Sequence, residues 1–248
     1  MAKADSYRQA LSGLADWDAY LEKESGLPGP RGNLELAGVA ADLASQAQIE
    51  RWLALDSSRA PVNTPSEFLA FCGVLALGRL IVEGQSQWMP VLRARASDPR
   101  WRTREAVAMA LQRVGKADMN RLLDEMERWC AGTWLEQRAA AAALAEPALL
   151  VDPAAIRRAL AILDRITAAM QSCADRRDED FRTLRQGMAY CWSVVVAALP
   201  GEGKAAMEKW LVCTDPDIRW MMRENLKKNR LVKMDAEWTH GWAKRLSS

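Results

Sequence analysis

Apolar residues recur every three to four positions through most of the chain, which is the spacing of one helix face. The segments 119–130 and 188–199 show this clearly, because in each the apolar side chains form a single stripe. Helix-favouring Ala, Leu, Arg, Glu and Met fill most windows, and stretches of alternating β-branched residues are missing. The pattern therefore predicts an all-α fold.

Prolines and glycines divide this pattern into segments that pair as five helical hairpins. The first helices of the hairpins are predicted at residues 34–55, 85–96, 117–131, 153–174 and 202–213. Their partners are predicted at residues 65–83, 101–115, 133–146, 179–199 and 218–230. Residues 1–33, with a helix over about 5–24, are expected to form an N-terminal cap, and residues 235–248 a C-terminal cap or tail. Residues 1–248 are then a single domain in which residues 34–234 form the repeats.

A four-residue phrase occurs three times and defines the repeat. The phrase ends at Trp52, Trp129 and Trp210. The two residues before each tryptophan are Glu and, next to the tryptophan, Arg or Lys. The tryptophans are about 80 residues apart, which is two periods of about 40, the length of a two-helix repeat. A large aromatic residue at equivalent positions predicts that the three rings are buried between first helices.

A second phrase, an Asp-Pro turn followed by a helix that contains arginine, supports the same register. Asp98 and Arg104 have the same separation as Asp217 and Arg223. This phrase resembles the HEAT repeat, which has Asp in the turn within the repeat and Arg or Lys six residues later. The resemblance covers about residues 34–234.

One further repeat matches the HEAT spacing of acid and arginine weakly, and another departs from it. Glu179 and Arg185 form the weaker copy, and the repeat of Arg138 has Gly132 where the acid belongs. The resemblance implies a right-handed α-α superhelix of about five HEAT-like hairpins with capping helices. In such arrays the recurring arginine bonds the recurring aspartate or backbone carbonyls. The resemblance to HEAT repeats says little about function, because HEAT arrays serve many functions.

The composition gives no sign of a metal or cofactor site. The net charge of +2 is too small to require a nucleic acid, although acids outnumber bases in residues 1–60 and bases outnumber acids in residues 201–248. The five cysteines include no C-x-x-C pair, and His240 is the only histidine. We therefore expect reduced thiols, no metal centre and no cofactor.

The sequence also favours a cytoplasmic protein without a membrane partner. The stretch MAKADSYRQAL lacks the apolar core of a signal peptide. We expect no apolar run to approach the length of a membrane span, about 18 residues.

No familiar catalytic motif occurs: there is no phosphate-binding loop, dinucleotide-type glycine motif or His-Glu zinc motif, and a histidine triad would need His240. HEAT-type solenoids of about this length also form a bacterial family of DNA alkylation-repair glycosylases, which the helices with Trp and Arg resemble. In that family a basic concave groove holds the duplex, and aromatic residues with an acid line the cleft around the damaged base. The resemblance implies such roles for Trp101, Trp134, Trp192 and Trp220, and phosphate contacts for Arg104, Arg138, Arg185 and Arg223. No aspartate matches the family's catalytic acid, and the pair Trp52 and Asp56 lies in the acidic first repeat.

The second helices of HEAT arrays line a concave surface, which is their usual binding site. The predicted partner-binding residues are Trp101, Arg104, Trp134, Arg138, Arg185, Trp220, Arg223 and Lys227. Lys228, Arg230 and Lys233 extend this basic ladder, whereas residues 175–180 are expected to form a solvated charged turn. We expect a non-enzymatic scaffold that binds a protein or another anionic partner. The alternative is a DNA-binding protein related to the alkylation-repair glycosylases.

Overall fold

The computed structural model describes residues 3–247, of Ser247 the backbone alone, and over this range the protein is all-helical. Helix accounts for 75% of the residues, in fifteen α-helices and one 3₁₀ turn, and residues 3–247 contain no strand. The predicted all-α class is confirmed. The helices form two compact units, residues 1–114 and residues 115–248. The interpretation of the whole chain as one solenoid stays a prediction.

The first unit is built around one long buried helix. Its helices are α1 (Lys3–Ser12), α2 (Asp18–Glu24), α3 (Leu34–Leu43), α4 (Gln46–Leu53), α5 (Pro65–Val82), α6 (Trp88–Arg95) and most of α7 (Trp101–Ala117). Helix α5 packs against α2, α3, α4 and α6, and every residue from Glu67 to Gly78 is buried. A Cβ atom on Gly78 would lie 2.5 Å from the carbonyl oxygen of Ala110, so glycine is what lets α5 and α7 touch along their backbones.

Helix α5 also has the length and composition that we expected no segment to reach. Among the described residues it is the one helix long and apolar enough to cross a membrane, with a mean hydropathy of 1.6. Within the first unit 78% of this segment is buried.

The predicted helix over residues 34–55 is in fact two helices. Ser45 leaves the helical conformation and begins α4 with a capping box. The guanidinium of Arg79 on α5 donates to the carbonyl oxygens of Ala41, at 3.0 Å, and Ala44, at 2.6 Å. These contacts satisfy the end of α3, which is why the chain breaks without Gly or Pro.

Two further predicted helices are divided in the structure. The helix expected over about 5–24 is α1 and α2, and the Asp16 carboxylate accepts from the backbone N–H of Asp18, at 3.2 Å, where α2 begins. The helix expected over 218–230 ends at Leu226, because the chain becomes extended at Lys228.

A buried ion pair joins two loops of the first unit. Arg100 is 1% exposed, and its guanidinium binds the carboxylate of Asp98 through two hydrogen bonds, of 2.9 and 2.7 Å. The remaining terminal nitrogen donates to the carbonyl oxygens of Leu55, Asp56 and Ala60. Burial raises the pKa of Asp98, but the hydrogen bonds from Arg100 lower it by more, so the pKa lies below its ordinary value.

This ion pair predicts a pH-dependent stability. Since the pKa of Asp98 is lower in the folded state, the pair stabilises fully above the unfolded value of about 3.9, and this contribution is lost as the pH falls through the folded value. We expect Asp98→Asn to lower the free energy of unfolding by about 3 kcal/mol near neutral pH, because Arg100 is left buried and unpaired. Urea denaturation should show this difference from the parent shrink as the pH is lowered from about 6 to about 3. An equal difference at both pH values would contradict the assignment.

The second unit is centred on α11. Its helices are α8 (Met119–Trp129), α9 (Trp134–Leu144), α10 (Pro153–Gln171), α11 (Glu179–Ala198), α12 (Pro200–Leu211), α13 (Pro216–Leu226), α14 (Asn229–Met234) and α15 (Ala236–Ser247). Helix α11 packs against α9, α10, α12, α13 and α14, and α15 packs against α13 and α14. The carboxylate of Asp235 pairs with Lys204 and accepts from the backbone N–H of Trp238, so α15 is anchored at its start.

The repeated Trp phrase has a physical explanation in each unit. The three tryptophans are buried, as predicted: Trp52 and Trp129 are 0% exposed and Trp210 is 4% exposed. In the first unit the Trp52 indole and the preceding Arg51 both donate to Asp18. In the second unit the Trp210 indole and the preceding Lys209 both donate to Asp164. The basic residue and the tryptophan therefore share one carboxylate on another helix.

One amide side chain joins α13 to α11. Asn225 is 0% exposed, and its Oδ1 accepts from the backbone N–H of Ser193 at 2.8 Å. Its Nδ2 donates to the carbonyl oxygens of Met188, at 2.8 Å, and Met221, at 2.9 Å. A side chain thus satisfies two backbone groups in the middle of α11.

Asn225→Ala should therefore destabilise the second unit. Loss of the amide leaves buried backbone groups of α11 without a partner, which costs about 1–3 kcal/mol of unfolding free energy. Asn229→Ala, at an exposed position on α14, is the matched control and should stay within about 0.5 kcal/mol of the parent. Equal denaturation midpoints for the two variants would show that the hydrogen bonds of Asn225 contribute nothing to stability.

Candidate functional site

The eight predicted partner-binding residues are divided between the two units. Trp101 and Arg104 lie on α7 in the first unit. In the second unit, α9 contains Trp134 and Arg138, α11 contains Arg185, α13 contains Trp220 and Arg223, and Lys227 follows α13.

The arginines of the predicted ladder are largely committed to contacts within their own unit. Arg104 donates to the carbonyl oxygens of Asp98, at 2.7 Å, and Pro99, at 3.1 Å. Arg185 pairs with Asp217 on α13. Arg138 is half-buried and lies beside α11. These side chains stabilise turns and helix contacts, which leaves little of them for a partner.

Trp134, Trp192 and Trp220 also support the packing of the second unit. Trp134 meets the ring of buried Phe181 edge-on, with 5.6 Å between the ring centroids. Trp192 is 0% exposed, and its indole donates to Thr167 at 3.0 Å. The guanidinium of Arg185 lies 4.5 Å from the centroid of the Trp220 ring. The indole of Trp192 is therefore a core group.

The charged turn over residues 175–180 is not simply solvated. The guanidinium of Arg176 binds Asp215 at 2.8 Å and Asp217 at 3.1 Å. It also donates to the carbonyl oxygens of Gln171 and Cys173, which end the preceding helix. The other residues of the turn are mostly exposed, as expected, whereas Arg176 supplies a donor to carbonyl oxygens at and just after the end of α10.

A basic surface remains exposed at the end of α13 and the start of α14. We define it by Tyr190, Arg223, Lys227, Lys228 and Arg230. Arg223 is exposed, and no hydrogen bond or ion pair holds its guanidinium among residues 3–247. Lys227 is exposed one turn later and pairs with Glu224 on the same helix. Of the predicted residues in the second unit, these two are the ones that solvent reaches most freely.

Tyr190 gives this basic surface an aromatic centre. Its side chain is 40% exposed. The guanidinium of Arg230 lies 4.7 Å from the ring centroid and donates to the tyrosine hydroxyl, and the Lys228 ammonium lies 5.9 Å from the same centroid. Sequence reasoning identified the basic run but missed Tyr190, because its position on α11 is far from that run in the chain.

An apolar cavity of about 350 Å³ lies in the first unit. Its walls include Phe68, Phe71 and Trp101, and Trp101 is 46% exposed. Three charged residues also line it, Arg31, Arg102 and Glu105. Of the residues named here only Trp101 was a predicted site residue: Arg31 lies in a loop, Phe68 and Phe71 lie in an unbroken apolar run, and Arg102 and Glu105 gave no signal on α7.

The described residues offer little conventional chemistry. No group of three or more His, Cys, Asp or Glu side chains within residues 3–247 is arranged to hold a metal ion. The five cysteines are free, and burial raises the pKa of the Cys72 thiol, which disfavours its reactive thiolate. His240 is exposed on α15.

Comparison with known proteins adds no family: no family model matches the chain, and no curated protein or solved structure is significantly similar to it.

The different roles of two predicted arginines can be tested by stability. Arg185→Ala removes the ion pair with Asp217 and the contact with Trp220, and should lower the free energy of unfolding by about 1–2 kcal/mol. Arg223→Ala removes an exposed side chain and should change it by less than about 0.5 kcal/mol. Chemical denaturation of both variants checks the difference. A larger loss for Arg223→Ala would contradict its assignment to a free surface.

Proposed function

We propose that the chain is a HEAT-type helical-repeat scaffold, without catalytic activity, that binds an acidic segment of a partner protein. The helical hairpins and the recurring basic-Trp pair support the repeat assignment. The proposed binding site is the basic surface of the second unit. The observation that carries the proposal is the exposure of Arg223 and Lys227, together with the Tyr190–Arg230 pair, whose ring also lies near Lys228, the residue after Lys227.

The chemistry of this surface suits carboxylates. Arg223 and Lys227 are one helical turn apart on α13, so two acidic side chains on a peptide can reach both cations. Arg and Tyr are enriched at the centres of protein interfaces, because they combine polar groups with a large apolar contact. The half-exposed Tyr190 supplies that apolar contact, and Arg230 holds its ring in place.

This proposal narrows the predicted ladder to its C-terminal end. Arg104 and Arg185 are used by Asp98 and Asp217 in their own units. Releasing them to bind a partner would break contacts to half-buried acceptors, which costs more than an exposed ion pair returns. Arg223 binds without that cost, and Lys227 gives up only its exposed ion pair with Glu224.

A DNA-binding function related to the alkylation-repair glycosylases is the second proposal. One observation favours it: an exposed aromatic ring has two cations near it, Lys228 and Arg230, and an aromatic ring with neighbouring cations can stack a base and pair with phosphate. The cations also suit a duplex backbone without reading its sequence.

Binding of a fluorescein-labelled poly-glutamate peptide and of a labelled DNA duplex across a salt series tests both proposals. We expect the peptide to bind, and Arg223→Ala/Lys227→Ala/Arg230→Ala to weaken it about tenfold, as three partly exposed charge contacts would. Arg128→Ala/Arg165→Ala/Arg177→Ala removes three exposed cations elsewhere in the second unit and is the matched control.

The outcomes separate the two functions. Equal weakening by both triple variants would mean that only net charge matters, and the site would be wrong. Duplex binding that is tighter than peptide binding, with a log–log salt slope of about −0.9 for each phosphate contact, would favour DNA. If neither probe binds at low salt, both proposals fail.

A further inference from the structure

The cavity of the first unit has the form of a small-molecule site. Its volume of about 350 Å³ lies within the range of ligand pockets, roughly 300–1,000 Å³. Phe68 and Phe71 form one wall, with their rings nearly parallel and 6.4 Å between centroids. Trp101 and Leu34 lie at the exposed side, where they are 46% and 53% exposed. Large apolar side chains at a cavity mouth favour an aromatic occupant.

A buried arginine lines the cavity and lacks part of its hydrogen bonding. Arg102 is 6% exposed and pairs with Glu67, which is 0% exposed, at 3.1 Å. It also donates to the carbonyl oxygen of Gly29 at 2.6 Å. Its Nε has no hydrogen-bond partner among residues 3–247. Buried donors are almost always satisfied, and Arg102 lines the cavity, so its unsatisfied nitrogen favours an occupant that carries an acceptor.

The charged side chains at the cavity favour one orientation of an anionic ligand. Arg31 is exposed and lines the cavity, whereas the charge of Arg102 is balanced by Glu67. Glu105 lines the cavity from α7, one turn after Trp101. Because Arg31 is an exposed cation at the cavity, an anionic group is attracted towards the loop that contains it.

We propose that this cavity binds a small aromatic molecule with an anionic end, such as an aryl carboxylate or sulfonate. The aromatic body packs against Phe68, Phe71 and Trp101. The anionic end pairs with Arg31 and accepts a hydrogen bond from the Arg102 guanidinium. The site lies in the first unit and is independent of the peptide site in the second.

Two fluorescent probes of nearly the same shape test the proposal. 1-Anilinonaphthalene-8-sulfonate carries the anionic group, and N-phenyl-1-naphthylamine lacks it. We expect both to bind the native protein at one saturable site, with increased emission. Arg31→Ala should weaken the sulfonate by up to about fivefold, the range of an exposed ion pair, and leave the neutral probe unchanged. Lys23→Ala, which removes another exposed cation of the first unit, is the charge control.

A cavity-filling variant tests the location. A Cβ atom on Gly32 would lie 3.7 Å from the Phe68 ring, an ordinary contact, so Gly32→Leu places a side chain in the cavity without a clash at Cβ. It should weaken both probes by about tenfold or more, because the occupied volume excludes the ligand. Gly201→Leu is the matched control, since nothing lies within 4 Å of a Cβ atom there. Circular dichroism melting confirms that each variant is folded.

Each result decides the proposal. The proposal is supported if Gly32→Leu loses binding of both probes and Arg31→Ala weakens binding of the sulfonate probe alone. Unchanged binding in a folded Gly32→Leu variant, or no binding to the parent, overturns it. Equal effects of Arg31→Ala on both probes would overturn the anionic end of the ligand.

Discussion

Helix ends and the turns between helices leave carbonyl oxygens without partners, and in this protein arginine side chains satisfy many of them. The guanidinium suits this task because it has five donors in a fixed plane and a long apolar stem. In the first unit the donor–acceptor pairs are Arg79 with Ala41 and Ala44, Arg95 with Leu53, Arg100 with Leu55, Asp56 and Ala60, and Arg104 with Asp98 and Pro99. In the second unit Arg176 does the same for Gln171 and Cys173.

This constraint explains why the number of arginines is a poor guide to function here. An arginine that satisfies carbonyls or a buried carboxylate is held by the fold, and a partner gains nothing by displacing it. The cations left for binding are those that bind no carbonyl oxygen or buried carboxylate, such as Arg223 and Arg230 in the second unit and Arg31 in the first. Functional proposals therefore rest on a few exposed cations and the aromatic rings beside them.

The same constraint marks the limit of prediction from sequence. Helical periodicity was enough for the all-α class, and the recurrence of one phrase along the chain was enough for the burial of Trp52, Trp129 and Trp210. The break at Ser45 was missed, since it depends on Arg79, which is distant in the chain. The ladder through Arg185 was predicted as a binding surface because spacing gives the face of a helix and not the reach of a long side chain towards Asp217. The cavity was missed because its residues come from a loop, α5 and α7.

The arginine network also determines the shape of that cavity. Arg102 binds Glu67 on α5 and the Gly29 carbonyl in the loop before α3, so one guanidinium joins α7, α5 and the loop that contains Arg31. These bonds join three of the segments that contribute residues to the cavity wall. A site whose walls are already held in place loses less conformational freedom when a ligand binds. The free-energy cost of desolvating Arg102 and Glu67 is offset by their ion pair when the unit folds. The bonds of Arg102 are therefore already in place when a ligand reaches the cavity.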